Sequence, residues 1–525
     1  MTRPRCSRIP ALLALPLLLA GAPVLAQLSA AGSQFWTQES PGFAETAQDG
    51  AQLGSAFAVG DFDGDGYDDL AVGAPWYDYV STPSVLDNGA VFVLPGGANG
   101  LHTGSEHKRL LVLRTRFGAA LAAGDFDGDG YDDLAVGAPK ATANGVANAG
   151  IVWVYKGGPG GLAVGGSEIT AAVYSTPQSG AAFGLALAVG NFNGDLYEDL
   201  VIGEPYWDSF TPTRLDRGRV AVLAGSAAGL VTSSAWAVRA EPFVEVDDDA
   251  VFGYSLAVGD FDDNGFDDLA IGAPRADDQS WGPCTVCDIG RVATYLSSGS
   301  TLDLDVVFWF QDIVVAPAFD LDLFGHTLAA GDVDGDGFDD LVVGSPYTDP
   351  ILGHSDRGEA RTLFGGATGI ELTGTQFVNQ NGFFRTPADD ELFGLSLAMA
   401  DFDRDGHADL VASAPGADLT VDAAGWAGVL FGRENGYSSS NGSYSFDQNT
   451  SGIPDAAEDG DEFGRAVAAG DFDGDCRPDL VVGVPYEDVL AGQHDEGAFH
   501  VIYSRALPFR DGFERGDLRC WSNVP

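Results

Sequence analysis

Two stretches of this chain, Asp61–Leu70 and Asp125–Leu134, are identical: Asp-Phe-Asp-Gly-Asp-Gly-Tyr-Asp-Asp-Leu. Positions 1, 3, 5 and 9 carry side-chain oxygens, and position 7 offers its backbone carbonyl. In the first stretch these are Asp61, Asp63, Asp65, Asp69 and Tyr67; in the second, Asp125, Asp127, Asp129, Asp133 and Tyr131. Oxygens at this spacing can wrap one hard cation. Calcium takes six to eight of them at tolerant geometry, whereas magnesium demands a tighter octahedron and retains water. Gly66 and Gly130 at position 6 allow the sharp turn. Four carboxylates within nine residues repel one another unless a cation compensates them.

Five variants follow. The third loop has Asn191, Asn193, Asp195, Tyr197 and Asp199; the fourth has Asp260, Asp262, Asn264, Phe266 and Asp268. The fifth has Asp332, Asp334, Asp336, Phe338 and Asp340; the sixth has Asp401, Asp403, Asp405, His407 and Asp409. The seventh has Asp471, Asp473, Asp475, Arg477 and Asp479. An EF-hand needs an acidic group at position 12. Here that position is Val72, Val136, Ile202, Ile271, Val343, Ala412 and Val482. The loop therefore joins two strands and is closed by the aspartate at position 9. The first, second, fourth, fifth and sixth copies are fully equipped, with Arg404 of the sixth expected to point outward. The third has fewer charges and a strained turn at Leu196, and the seventh has Cys476 at position 6, so these two are expected to bind most weakly. The expected role of the ions is structural. Catalysis needs an open coordination position with acid–base groups beside it, of which the sequence gives no sign.

The loops start 64, 66, 69, 72, 69 and 70 residues apart. Each unit holds four strand-length apolar runs divided by turn signals, with no helical period. In the second unit the spacing predicts strands at Ala119–Gly124, Asp133–Gly137, Gly150–Tyr155 and about Glu168–Tyr174. Four short strands cannot bury both faces alone, but seven such sheets packed radially can. The predicted fold is all-β, a seven-bladed propeller of four-stranded antiparallel blades. The last unit lacks a fourth strand, and Gln34-Phe35-Trp36-Thr37-Gln38 resembles earlier fourth strands. The N-terminal strand should complete the last blade and leave no open edge.

The Phe-Gly start of most units, the Asp-rich loop and the Gly-Ala-Pro ending resemble FG-GAP repeats. These are the repeats of the integrin α-subunit propeller and of secreted bacterial proteins. The resemblance covers roughly residues 33 to 505. It implies structural calcium and an adhesive or binding role toward an extracellular protein or glycan. It stops at the propeller: no inserted Asp-x-Ser-x-Ser domain, leg domain or transmembrane helix is visible.

The formal charge of −51 and pI near 4.1 argue against nucleic acid and anionic membranes as partners. Arg3, Arg5 and Arg8, the apolar run Ala11–Ala20 and Val24-Leu25-Ala26 read as a signal peptide over residues 1–26. The propeller then spans 27–505 and a tail spans 506–525. A secreted, monomeric propeller without a membrane span is expected. Cys284 and Cys287 read as a local disulfide, since a redox site lacks its βαβ context. Cys476 and Cys520 form a second expected pair. The tail resembles a short C-terminal segment of exported bacterial proteins, and its Arg515-Gly516-Asp517 is a common tripeptide. Ser255 and Ser396 read as strand residues, because other units place Ala or Thr there. The runs Trp76-Tyr77-Asp78, Tyr206-Trp207-Asp208 and Tyr486-Glu487-Asp488 have two readings: blade packing, or a ligand platform opposite the loops. A polysaccharide lyase or hydrolase on the same scaffold, and a structural exoprotein held at the cell surface, are the alternatives to a binding protein.

Overall fold

A computed structural model describes residues 27–505 apart from 42, 44–46, 79–87, 103–104, 108–114, 211–212, 241–248, 278–287, 310–321, 349–354, 439–440 and 491–493. Seven four-stranded antiparallel sheets follow one another along the chain. In the first, Ala56–Gly60, Asp69–Ala74, Ala90–Leu94 and Ser105–His107 serve as strands A to D. The A strands of the remaining blades begin at Ala120, Leu187, Ser255, Thr327, Leu397 and Val467. Each A strand touches the A strands of both neighbours in cyclic order, so these strands surround the axis.

The expected closure is present. Gln34–Thr37 lies antiparallel to Ala498–Ile502 and is the outer strand of the seventh blade. Gln27–Leu28 adds a second tie by pairing with Ser504–Arg505. In the second blade strand D is shorter than expected, Ser167–Ile169. Thr170 then caps a 3-10 turn, Ala171–Val173, by accepting a bond from Ala172 N. A Thr hydroxyl that offers the backbone a local partner stops the ladder there.

All seven B strands are buried along their whole length, which is why they read as unbroken apolar runs. The core sits in the seams between blades. One seam packs Val91 and Val93 against Phe117, Leu134 and Val136; another packs Val333 and Val342 against Phe393 and Leu410. The glycine before the Pro turn has no room for a side chain: a Cβ on Gly73 would stand 2.1 Å from the Gly118 carbonyl of the next blade. The Phe-Gly pair therefore lies directly on the Gly-Ala-Pro segment of its neighbour. That contact explains why the two motifs recur together.

Candidate metal centre

Each aspartate loop joins strand A to strand B, and all seven lie on one face of the ring. The position 1 side chain organises the turn. Asp61 Oδ1 accepts bonds from Gly64 N at 2.7 Å and Asp65 N at 3.1 Å, and Oδ2 accepts from Gly66 N at 3.2 Å. Asp65 Oδ1 accepts from Tyr67 N at 3.0 Å. The same bond from position 6 to position 1 recurs at Gly130, Gly265, Gly337, Gly406 and Cys476.

The position 9 aspartates are buried at the base of the loops. Asp69 Oδ2 accepts from Phe62 N at 3.0 Å, and Oδ1 accepts from Gly96 N at 2.9 Å in the turn after strand C. Burial first, then neighbouring carboxylates, raises these acids against the pull of the backbone N–H groups. Asp69 and Asp133 are pushed up to about 7, Asp199 to about 6, Asp268, Asp340 and Asp409 to about 8, and Asp479 to about 9. Concentrated negative charge in a poorly solvated turn is what a bound cation would relieve.

Carboxylate oxygens of Asp61, Asp63 and Asp69 lie within 4.8 Å of one another. The same holds for Asp125, Asp127 and Asp129; for Asp260, Asp262 and Asp268; for Asp332, Asp334 and Asp336; and for Asp401, Asp403 and Asp409. These belong to the five copies read as fully equipped. Two of the five also meet a basic side chain from the turn after strand C. Lys156 pairs with Asp127 and Asp129, and Arg433 pairs with Asp403 at 2.6 Å and Asp405 at 2.9 Å. Those cations already neutralise part of the second and sixth sites. Arg404 is exposed, as expected, at φ 61°.

The third loop differs from expectation. Leu196 is not strained, because it stays out of the left-handed region that Gly66 occupies at φ 95°. The turn opens instead: Asn191 Nδ2 donates to the Asp195 carbonyl at 2.8 Å, and Leu196 is left 86% exposed. An amide at position 1 competes for the loop's own backbone where a carboxylate would gather N–H groups. Cys476 does take the left-handed conformation, at φ 65°.

Sequence reasoning missed position 8. Asp132 Oδ2 accepts from Asp61 N of the preceding loop at 2.9 Å, while Asp132 N donates to the Asp61 carbonyl at 3.1 Å. Glu198, Asp267, Asp339 and Asp68 make the same reciprocal pair with Asp125, Asn191, Asp260 and Asp471. Of two adjacent acids, one faces the loop's own centre and the other latches the neighbouring blade. Ala408 keeps only the backbone half, 2.7 Å from the Asp332 carbonyl, and Pro478 has neither group to offer. The position 7 rings add to the interlock: Tyr131 covers Gly64, and Tyr67 covers Gly474 across the ring closure.

The two readings of the aromatic-acidic runs divide by residue. Tyr77 and Glu487 are buried, and Tyr77 packs edge-on to Phe92. Trp76 is half-buried under the Arg116 guanidinium, 3.8 Å from the ring centroid. Tyr206 joins Tyr254, Tyr347 and His326 at the axial mouth opposite the loops. Tyr254 and His326 have ring centroids 5.1 Å apart, and His326 and Tyr347 6.0 Å. Burial raises the Tyr254 phenol; Tyr206 and Tyr347 add to this and Arg465, from the seventh blade, opposes it. Groups from blades three, four, five and seven thus converge. Ser255 Oγ donates to the Gly325 carbonyl at 2.6 Å and Ser396 Oγ accepts from Val467 N at 3.1 Å, so both are tied to a neighbouring blade; Ser255 opens its strand as expected, whereas Ser396 lies in the bend just before Leu397–Ala400. The expected signal segment, Cys284, Cys287, Cys520 and the tail lie outside the described residues.

The FG-GAP repeat profile matches residues 53–94, 117–155, 183–223, 252–295, 324–361, 393–430 and 463–502, together more than half of the chain. Integrin alpha-5 of Xenopus laevis is 30% identical over 242 residues, which are 46% of this chain and 20% of that protein. Phosphatidylinositol-glycan-specific phospholipase D of Homo sapiens is 34% identical over 221 residues, 39% of this chain and 24% of that protein. The chain therefore spans about a quarter or less of these curated relatives. Among solved structures, the Dos1 propeller aligns with 83% of this chain and 74% of its own, at 13% identity and a TM-score of 0.35.

Proposed function

Because the chain belongs to the FG-GAP repeat family, we propose that it is a secreted, calcium-stabilised binding protein that recognises a protein or glycan outside the cell. The observation that carries this reading is the separation of two faces. Acid triads fit for a hard cation occupy the loops on one face. On the other, tyrosines, His326 and Arg465 converge at the axial mouth, where they can hydrogen-bond and stack on a ligand. The ions would be structural. Asp61, Asp63, Asp65, Asp69 and their counterparts would hold them, and the position 7 carbonyl would complete the shell. Calcium would supply charge neutralisation there and add to folding stability. The Cys476–Cys520 pair belongs to this reading and is supported by Cys476 being disulfide-bonded. Among the described residues no helix is long and apolar enough to cross a membrane.

The test is a glycan and protein binding screen in calcium and in chelator, beside a polysaccharide-degradation assay. Binding that Tyr254→Ala or Arg465→Ala removes, with no loss of calcium, is the expected result. Depolymerisation by the purified protein would replace the reading with that of an enzyme, a class to which the phospholipase D relative belongs.

A further inference from the structure

The mouth of the ring opposite the aspartate loops inverts the charge of the chain. Against 77 acids the sequence has 26 Lys and Arg. Yet the residue after the Pro turn of strand B is aromatic or basic in six of the seven blades: Trp76, Lys140, Tyr206, Arg275, Tyr347 and Tyr486. The exception is Gly416, and the residues that follow Leu53-Gly54 and the Phe-Gly pairs include no acid either. The backbone fixes where these side chains start. Lys140 N donates to the Thr115 carbonyl at 3.2 Å, and Tyr206 N donates to the Ala181 carbonyl at 3.3 Å in the next blade. Lys140 therefore holds in the second blade the place that Tyr206 holds in the third, one position round the ring.

Two of the mouth's cations are already paired. Arg275 meets Asp288 at 3.4 Å, and Arg465 meets Glu462 at 3.2 Å. Lys140 differs. It is half-buried, and among the described residues no acid pairs with it. The charge that acts on it is another cation, Arg116, whose guanidinium is held over the Trp76 ring, 3.8 Å from the centroid. Burial first, then Arg116, lower Lys140 from the usual lysine value. Two like charges brought together under partial burial destabilise the empty arrangement, and an anion between them relieves it. A carboxylate suits the pair: the guanidinium fork can hold both of its oxygens, and the ammonium adds a point charge. The acidic loops do not forbid this. Strand A of the second blade, five residues long, sets them roughly 17 Å from the mouth, about two Debye lengths at physiological salt.

We propose that Lys140 and Arg116, the latter positioned by Trp76, bind the carboxylate of an acidic sugar, so that the ligand of the axial mouth is a uronate-containing glycan. The assignment rests on the binding function proposed for that face and narrows it to one class. The aromatic neighbours complete the fit: a sugar ring lays its C–H groups on a tyrosine face while its hydroxyls meet the phenols. A neutral glycan would leave the two positive charges unmatched.

The test is titration calorimetry, in calcium throughout, with tetramers of galacturonate, mannuronate and glucuronate. Each is run beside its carboxyl-reduced neutral form, and a sulfated, uronate-free galactan oligomer serves as a second anion. At least one uronate should bind, and its reduced form should bind roughly tenfold more weakly or worse. Lys140→Gln and Arg116→Gln should each weaken that uronate by roughly tenfold or more, whereas Lys140→Arg should keep it bound. Should one of the Gln variants fail to fold, the other decides. No uronate binding, a reduced form that binds as tightly, a preference for the sulfated galactan, or full affinity in the Gln variants overturns the assignment. A protein or neutral glycan that then binds the wild type and is lost in Tyr254→Ala would leave the mouth a binding face for another ligand. Loss of every ligand would end both readings.

Discussion

Replacing Asp132 by Ala removes the carboxylate that receives Asp61 N at 2.9 Å and leaves the rest of the second loop in place. Asp61 is 7% exposed, so its N–H would lose a charge-assisted partner with little water to replace it. A lost bond to a charged group, with a buried donor left behind, costs about 2 kcal/mol. A ring of this size that unfolds as one unit has an unfolding entropy of about 1 kcal/mol/K, so the expected drop in Tm is about 2 °C. Because Asp132 latches a blade and does not face the loop centre, the drop should persist in chelator as well as in calcium. Asp129→Asn, at position 5 of the same loop, should lower Tm much more in calcium than in chelator, where only its exposed pair with Lys156 is lost. Differential scanning calorimetry of both variants in both buffers separates the two roles. A loss for Asp132→Ala that vanishes in chelator would refute the latch and make position 8 part of the metal site.

Three further outcomes follow from the same geometry. Chelator should lower the Tm of the wild type, and a melting curve indifferent to it would count against structural ions. The position 9 acids, raised to between about 6 and about 9, bind more protons folded than unfolded from about pH 4 upward. Cation-free stability should therefore fall as pH rises through that window, whereas stability in calcium should fall on acidification as protons displace the ion; parallel pH profiles of Tm in the two buffers would contradict this. Gly73→Ala places a Cβ 2.1 Å from the Gly118 carbonyl, backbone that cannot yield, so soluble folded protein should be largely lost, and wild-type yield with an unchanged Tm would overturn the proposed contact between blades.

The blades and loops were legible because their information is local. Asp125, Asp127, Asp129 and Asp133 stand within nine residues, and strand B beside them is one apolar run. Even the ring closure could be read, because Gln34–Thr37 supplies the strand that the seventh unit lacks. What stayed hidden joins distant residues. Asp132 and Asp133 are chemically identical in sequence, and only the position of Asp61 in the preceding blade separates a latch from a loop acid. The acidic character of position 8 in five of the seven units was the available signal. The third loop was misread for another reason: a leucine at the turn implied strain, but an Asn at position 1 let the turn open and no strain arose. The axial cluster of Tyr254, His326 and Arg465 depends on ring closure and has no motif of its own.

The loops and the latches share one hairpin, and this couples the ions to the ring. Asp61 gathers the N–H groups of its own turn through its side chain and holds the next blade through its backbone. An ion that fixes Asp61 therefore also fixes the groups that receive Asp132. The coupling should weaken toward the end of the chain, where Ala408 keeps half of the latch and Pro478 none of it. At the sixth-to-seventh seam, cohesion must come from elsewhere, the apolar contacts of Phe402, Val411 and Phe463 with Leu480, so Phe463→Ala should open this seam before a comparable truncation opens any latched one.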